Sequence, residues 1–250
     1  MKKLNNGVFS FKKNLGKTRV TNEDDCQVVV NSHGNVLLIV CDGMGGHLKG
    51  DFASSQTVSY LCDEFKKKSG FLNAGYARVW LTGRIKKINA KLFEQQDNDN
   101  SYRGMGTTLV CALIYNNKLI IVNCGDSRCY LLENNILNIV TEDDSYVNYL
   151  HKIGQISEKE MSTSKDRHII TNAIGLFPSA SFEVKTLPYS GETIFLCSDG
   201  LYNEVSLNDM QNILKTNDAP EVKVSSLIQL ANFNGGSDNI SCCLWESVHD

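Results

Sequence analysis

Apolar, β-branched runs recur along the chain at 27–30, 36–40, 108–114, 119–123, 129–132, 193–197 and 240–245. Runs of this length and composition predict strands buried on one or both faces. Asn116-Asn117 and Asn134-Asn135 stand between neighbouring runs. Asn tolerates the left-handed backbone of tight turns, so these pairs predict antiparallel hairpins. Between the strand groups the apolar period lengthens to three and four residues: Val58, Leu61 and Phe65 within 51–68, then Leu81, Ile85, Ile88 and Leu92 within 79–93. That spacing predicts two amphipathic helices. Near the C-terminus, Ser206-Leu207-Asn208-Asp209 is close to a capping box and opens a helix through Leu214. Another is expected from near Pro220, where Pro suits a first helical turn, to about Phe233. Strands, two helices, strands, two helices and a final strand predict an α+β chain. A four-layer α/β/β/α sandwich, two central antiparallel sheets flanked by helices, buries every apolar face.

The stretch 142–170 departs from this pattern. It runs from Glu142-Asp143-Asp144-Ser145 to Ser164-Lys165-Asp166-Arg167-His168 and beyond, rich in charge and poor in apolar runs. A segment of that length without its own pattern predicts a mobile surface flap beside a functional site. Elsewhere the composition is even, with three prolines and no Pro/Gly/Ser-rich linker, so residues 1–250 are expected to form one domain.

Charge and composition narrow the function. A net charge of −3 gives no global attraction to nucleic acid or an anionic membrane. The clusters Lys66-Lys67-Lys68 and Arg84-Lys86-Lys87 are expected on solvated helix faces. No apolar run approaches the roughly 18 residues of a membrane span, and MKKLNNGVFSFKK lacks the apolar core of a secretory signal, so a cytoplasmic protein is expected. Nine cysteines, most of them inside strand-like runs and with no Cys-x-x-Cys pair, are expected as buried thiols.

The candidate chemistry lies at the strand ends. Asp42 follows VLLIVC, Asp126 follows IIVNCG, Asp199 follows IFLCS, and Asp238 precedes NISCCLW. Carboxylates at the mouths of buried strands are costly to desolvate, and several converging on one point repel unless a cation stands among them. Hard oxygen donors without accompanying His or Cys suit Mg²⁺ or Mn²⁺. In Asp42-Gly43-Met44-Gly45-Gly46-His47 the glycines let the backbone bend tightly after a strand, and Asp199-Gly200 repeats the arrangement. Upstream, Arg19-Val20-Thr21-Asn22-Glu23-Asp24 sets a guanidinium, the bidentate partner of phosphate, beside two acids.

These motifs, with Gly104-Met105-Gly106-Thr107-Thr108, Gly125-Asp126-Ser127-Arg128, Ser198-Asp199-Gly200-Leu201 and Asp238-Asn239, resemble the metal-dependent serine/threonine protein phosphatases of the type 2C (PPM) class in their bacterial form. The resemblance implies the same four-layer fold and hydrolysis of phosphoserine and phosphothreonine at a centre of two Mg²⁺ or Mn²⁺ ions. Asp42 would bridge the ions, Gly43 would offer its carbonyl, and Asp199 and Asp238 would complete the centre. Asp126, with Asp199, would hold a weaker third ion. Asp24 and Glu23 would complete the shell or hold water, Arg19 would grip the phosphate, and Thr108 would support the centre from behind. Water held by such ions is acidified enough to attack phosphorus without a covalent intermediate. The implied partners are phosphorylated proteins and a cognate bacterial-type kinase, and the implied state is a monomer.

Two departures from the family pattern stand out. Met44 follows Gly43, as in bacterial members, and His47 three residues on is expected to pack locally at a helix start. In the flap, the usual Asp-His-Ser reads Asp143-Asp144-Ser145, and a segment often containing His-Pro and Arg-Asn reads Lys165-Asp166-Arg167-His168. The competing readings are a catalytically weak scaffold that keeps this fold and a hydrolase of small phosphorylated metabolites.

Overall fold

A computed structural model describes residues 6–45 and 48–248. The first elements are β1 (Gly7–Asn14), β2 (Asp24–Val30), β3 (Val36–Met44), α1 (Leu48–Lys67) and α2 (Ala74–Asn98). Five strands follow: β4 (Gly106–Thr107), β5 (Leu109–Tyr115), β6 (Lys118–Cys124), β7 (Arg128–Glu133) and β8 (Ile136–Ile139). Then come α3 (Tyr146–Lys152), α4 (Glu158–Thr163), β9 (Glu183–Pro188), β10 (Thr193–Cys197), α5 (Asp199–Tyr202), α6 (Leu207–Leu214), α7 (Pro220–Asn234) and β11 (Ile240–Ser247). Gly46 and His47, and with them the local packing expected of His47, lie outside the described residues.

The strands form two antiparallel sheets. One has the order β1-β11-β10-β7-β8, the other β2-β3-β5-β6-β9 with β4 paired to β3. Strand alternation divides the core into layers. On β3, Val36, Leu38 and Val40 point into the space between the sheets, where they meet Val110, Ala112, Ile194, Leu196 and Trp245. Leu37, Ile39 and Cys41 point the other way, against Leu61 and Phe65 of α1 and Leu81 and Ile85 of α2. Across the second sheet, Phe195, Cys242 and Leu244 pack on Met210 and Leu214 of α6 and Val224 and Leu227 of α7. The α+β four-layer sandwich expected from the sequence is the observed architecture.

Local chemistry explains the boundaries. Asn134 and Asn135 both take positive φ, 50° and 64°, which makes the β7–β8 turn match the right-handed strand twist. Asn116, at φ 52°, turns β5 into β6. Asp209 N–H donates to the Ser206 hydroxyl at 3.1 Å, and α6 starts there as expected. α2 begins five residues before the periodic stretch because Asn73 Oδ1 caps it, accepting the Tyr76 N–H at 3.0 Å. All nine cysteines are free and buried.

The apolar runs missed β1, β8 and β9, and the two-residue β4. β1, β8 and β9 are edge strands with little fully buried surface, so the burial that marks a central strand is absent from them. The stretch 142–170 also differs from a bare loop. Ser145 caps α3, and Ser157 with Glu160 forms a reciprocal capping box on α4. Polar caps, not apolar periodicity, define these two short helices.

Trp245 is the largest side chain enclosed between the sheets, 1% exposed. It stacks on Phe9 of β1 with ring centroids 6.2 Å apart, and its Nε1–H donates to the Tyr189 hydroxyl at 3.1 Å. Trp245→Ala leaves a cavity at the inter-sheet seam and is expected to cost about 3–5 kcal/mol. Urea unfolding followed by circular dichroism reads this as a fall in midpoint at unchanged slope.

Candidate metal centre

Antiparallel pairing brings the candidate acids to one end of the sandwich. Asp24 opens β2 directly opposite Asp42 near the end of β3. Leu109 pairs with Cys124, so Thr108 and the Gly125-Asp126 turn emerge together. Cys197 pairs with Cys242, which places Asp199 just after β10 and Asp238 just before β11 at the same edge. Residues up to 214 positions apart in sequence, Asp24 and Asp238, thus become neighbours because both sheets end there.

The electrostatics follow from this crowding. Asp24 is fully buried, and burial pushes its carboxyl up to about 7; hydrogen bonds from Ser198 and Ser241 oppose that rise, and the charges of Asp199 and Asp238 add to it. Burial pushes Asp126 up to about 8, with the charges of Asp199 and Asp143 helping. Asp42 is raised well above the carboxylate range by burial and then by Asp24, Asp199, Asp126 and Asp238 together. Asp199 is raised by burial and by the charge of Asp238. Asp24 Oδ1 and Asp199 Oδ1 are enclosed yet meet no protein N–H or hydroxyl donor.

Enclosed carboxylate oxygens without donors, in an all-oxygen set, are what a hard divalent cation stabilises. Among the described residues, no three His, Cys, Asp or Glu side chains close around a single point. The acids instead form an open mouth, which leaves room for a hard divalent ion to keep several waters in its shell.

Surrounding groups fix this mouth in place. Asp42 N–H donates to Thr108 Oγ1 at 2.9 Å, and its carbonyl accepts the Thr108 N–H at 2.8 Å and the Thr107 hydroxyl at 3.0 Å. Thr108 Oγ1 is bonded in turn to Ser127 Oγ at 2.7 Å. Gly43 N–H donates to Glu23 O at 3.0 Å, and Ser54 Oγ reaches the same carbonyl at 2.6 Å. A Cβ on Gly43 would collide with the Gly50 carbonyl, so a glycine is required where β3 meets α1. Asn239 Oδ1 accepts the Glu23 N–H at 2.8 Å, while its Nδ2 holds Leu15 O and Thr21 O, pinning the loop that carries Arg19. Ser198 Oγ donates to Asp24 Oδ2 at 2.7 Å.

Every candidate site residue therefore lies in or against this mouth. Arg19 occupies its rim, and its Nη2 contacts Asp238 Oδ2 at 2.8 Å, a pairing that sequence reading did not foresee. Ser198 and Asn239 had been visible only as parts of motifs, and Ser241 carried no signal beyond its place in a strand.

The stretch 142–170 walls one side. Asp126, Arg128, Asp143, His168, Asp199 and Tyr202 line a cleft of about 630 Å³ between it and the acids. Arg128 grips Asp143 through Nε and Nη2, at 3.0 and 2.7 Å, and lies 3.6 Å over the Tyr202 ring. The Tyr202 hydroxyl donates to the Asp126 carbonyl at 3.0 Å.

Residues 17–231 match the family model for protein phosphatase 2C. The serine/threonine phosphatase stp of Listeria welshimeri is 37% identical over 237 residues, 94% of each chain. The crystal structure of the serine/threonine phosphatase Stp1 from Staphylococcus aureus superposes with a TM-score of 0.89 at 33% identity, covering 97% of this chain and 95% of that one. The catalytic domain of the protein phosphatase PstP, in complex with two manganese ions, superposes with a TM-score of 0.83 at 28% identity, over 97% and 99% of the two chains. The chain belongs to the protein phosphatase 2C family and is a phosphoprotein phosphatase.

Proposed function

We propose that this phosphatase hydrolyses phosphoserine and phosphothreonine in proteins and depends on two Mg²⁺ or Mn²⁺ ions, with a weaker third beside Asp126. The observation that carries this reading is the convergence of Asp24, Asp126, Asp199 and Asp238 on Asp42, with enclosed carboxylate oxygens that no protein donor serves. Asp42, the Gly43 carbonyl, Asp199 and Asp238 would hold the pair of ions, Asp126 with Asp199 the third, and Asp24 and Glu23 would complete the shell or order water. When bound, such ions supply Lewis acidity, a lowered pKa for water and neutralisation of charge on the transferring phosphoryl group.

The protein groups supply position. Arg19, half-exposed at the rim, presents a guanidinium whose fork matches a phosphate; its present partner Asp238 holds it at the mouth until a phosphate arrives. Thr108 fixes Asp42 through its main chain, so the central carboxylate does not drift as charge builds on the substrate. Buried thiols argue for direct attack by water. Burial pushes Cys62 and Cys111 up to about 12, far from thiolate at neutral pH, which leaves them unsuited as nucleophiles.

The same reading takes residues 1–250 as one domain, monomeric and cytoplasmic, reversing a serine/threonine kinase. Among the described residues, no helix is long and apolar enough to cross a membrane. A flap that moves over the cleft would admit phosphoproteins of varied sequence.

Hydrolysis of a phosphothreonine peptide is expected with Mn²⁺ or Mg²⁺ and not with EDTA, and Asp199→Asn is expected to lower kcat/KM roughly 100-fold or more. Silence from folded, metal-supplied wild-type protein would favour the scaffold reading. Faster turnover of nucleotides or sugar phosphates would favour the metabolite hydrolase.

A second expectation concerns stability without metal. Unfolded, the aspartates ionise near about 3.9. Folded, Asp24 and Asp126 hold their protons to about 7 and 8. Between those values the native state binds more protons than the unfolded chain, so stability falls as pH rises. The Tm of EDTA-treated protein should drop from pH 5 to pH 8, and added Mn²⁺ should raise it more at pH 8 than at pH 5. A Tm that climbs with pH in EDTA would contradict the predicted crowding.

A further inference from the structure

The stretch 145–170 leaves and re-enters the sandwich at one point, and a single residue holds both passages. Asp144 N–H donates to Gly125 O at 2.9 Å, and Gly125 N–H donates back to Asp144 Oδ2 at 3.1 Å. The Asp144 carbonyl accepts the Thr171 N–H at 2.7 Å and the Thr171 hydroxyl at 3.0 Å. Asn172 Nδ2 donates to the same Oδ2 at 3.1 Å and also to Ser181 O at 2.7 Å. Entry strand-end, exit segment and the Gly125-Asp126 turn are therefore knotted at one carboxylate oxygen.

The main-chain bonds of this knot do not depend on the side chain at 144, proline excepted; the two to Oδ2 do. One of them matters for chemistry. Gly125 is buried, takes φ +99°, and has no room for a Cβ beside Thr108, so this turn carries Asp126 on a backbone with little freedom of its own. Its N–H, with Oδ2 as partner, fixes the direction in which the chain leaves β6 and hence where Asp126 points. Removing the acceptor strands a buried donor and lets the turn rotate to find another. Asn123 braces the same point from below, its Nδ2 reaching Gly125 O at 3.2 Å and Glu142 O at 2.9 Å.

We infer that Asp144 is a positioning residue of the phosphatase: through Oδ2 it sets the Gly125-Asp126 turn and locks that turn to the exit of the 145–170 stretch at Asn172. The inference rests on the proposed role of Asp126 at the metal centre. Asp144 touches none of the reacting groups. It acts because one acceptor oxygen serves the turn and the flap base at once, so movement of the flap base is transmitted to Asp126.

The test compares wild type, Asp144→Ala, Asp144→Asn and Asn172→Ala with Mn²⁺ on p-nitrophenyl phosphate and on a phosphothreonine peptide. Asp144→Ala is expected to lower kcat about 10-fold or more on both substrates, with KM within about twofold, as for other groups that orient a ligand from behind. Asp144→Asn keeps an acceptor oxygen in place and should recover most of that loss. Asn172→Ala, which frees the flap base but leaves the turn bonded, should show the smaller effect. Amide exchange at Gly125, measured on folded protein, should accelerate in Asp144→Ala and not in Asp144→Asn. Wild-type kcat in Asp144→Ala, or Asp144→Asn as impaired as Asp144→Ala, would overturn the inference while the wild type still turns over. A wild type without metal-dependent turnover would instead overturn the phosphatase mechanism on which it rests.

Discussion

Mutual repulsion among enclosed carboxylates is the constraint around which this structure is organised. Burial raises Asp24, Asp42, Asp126 and Asp199, and neighbouring carboxylates raise them further, with Asp24, Asp199, Asp126 and Asp238 all acting on Asp42. A chain gains nothing in stability from such a cluster without a counter-charge. The rest of the sandwich supplies the rigidity that keeps the acids together. Their positions follow from strand register, and register is fixed by the layers on either side: one slip of β3 would turn Leu38 and Val40 out of the inter-sheet core and move Asp42 to the opposite face.

The counter-charges the protein does supply sit at the margins. Arg19 meets Asp238 at the rim, and Arg128 is spent on Asp143, stacked on Tyr202. Neither guanidinium lies among Asp24, Asp42 and Asp199, where the repulsion is greatest. Hydroxyls do that work in part, with Ser198 donating to Asp24 and Thr108 holding the backbone of Asp42. A hydroxyl satisfies one oxygen but brings no net charge, so the centre keeps its affinity for a cation. Placing the positive side chains at the edge leaves Arg19 available to a phosphate and leaves the middle to metal.

Much of this was legible in the chain because central strands are buried on both faces. The runs 36–40, 119–123 and 193–197 read clearly, and Asp42, Asp126 and Asp199 stand just beyond their ends. Edge strands do not read in this way: Phe9 packs on Trp245 while Val8, Phe11, Lys12 and Lys13 of β1 are exposed. Convergence of the four aspartates could be argued from repeated placement at strand ends, since antiparallel sheets return those ends to one side. The supporting bonds could not. Ser198 and Asp24 are 174 residues apart, and nothing in either local sequence announces the contact. The short helices of the flap were missed for a related reason, because caps at Ser145 and Ser157 define them without an apolar stripe.

Asp144 shows how a departure from a family pattern acquires meaning only in three dimensions. As sequence, an acid in place of the usual His adds negative charge next to a site that already holds too much. As structure, its Oδ2 is engaged by a main-chain N–H and a side-chain amide, both donors, one from the Gly125-Asp126 turn and one from the base of the flap. Histidine offers at most one acceptor nitrogen when neutral and none when protonated, whereas a carboxylate oxygen accepts two bonds at once. Two donors converging on one point therefore favour the acid, and the shared oxygen makes the flap base and the Asp126 turn a single mechanical unit.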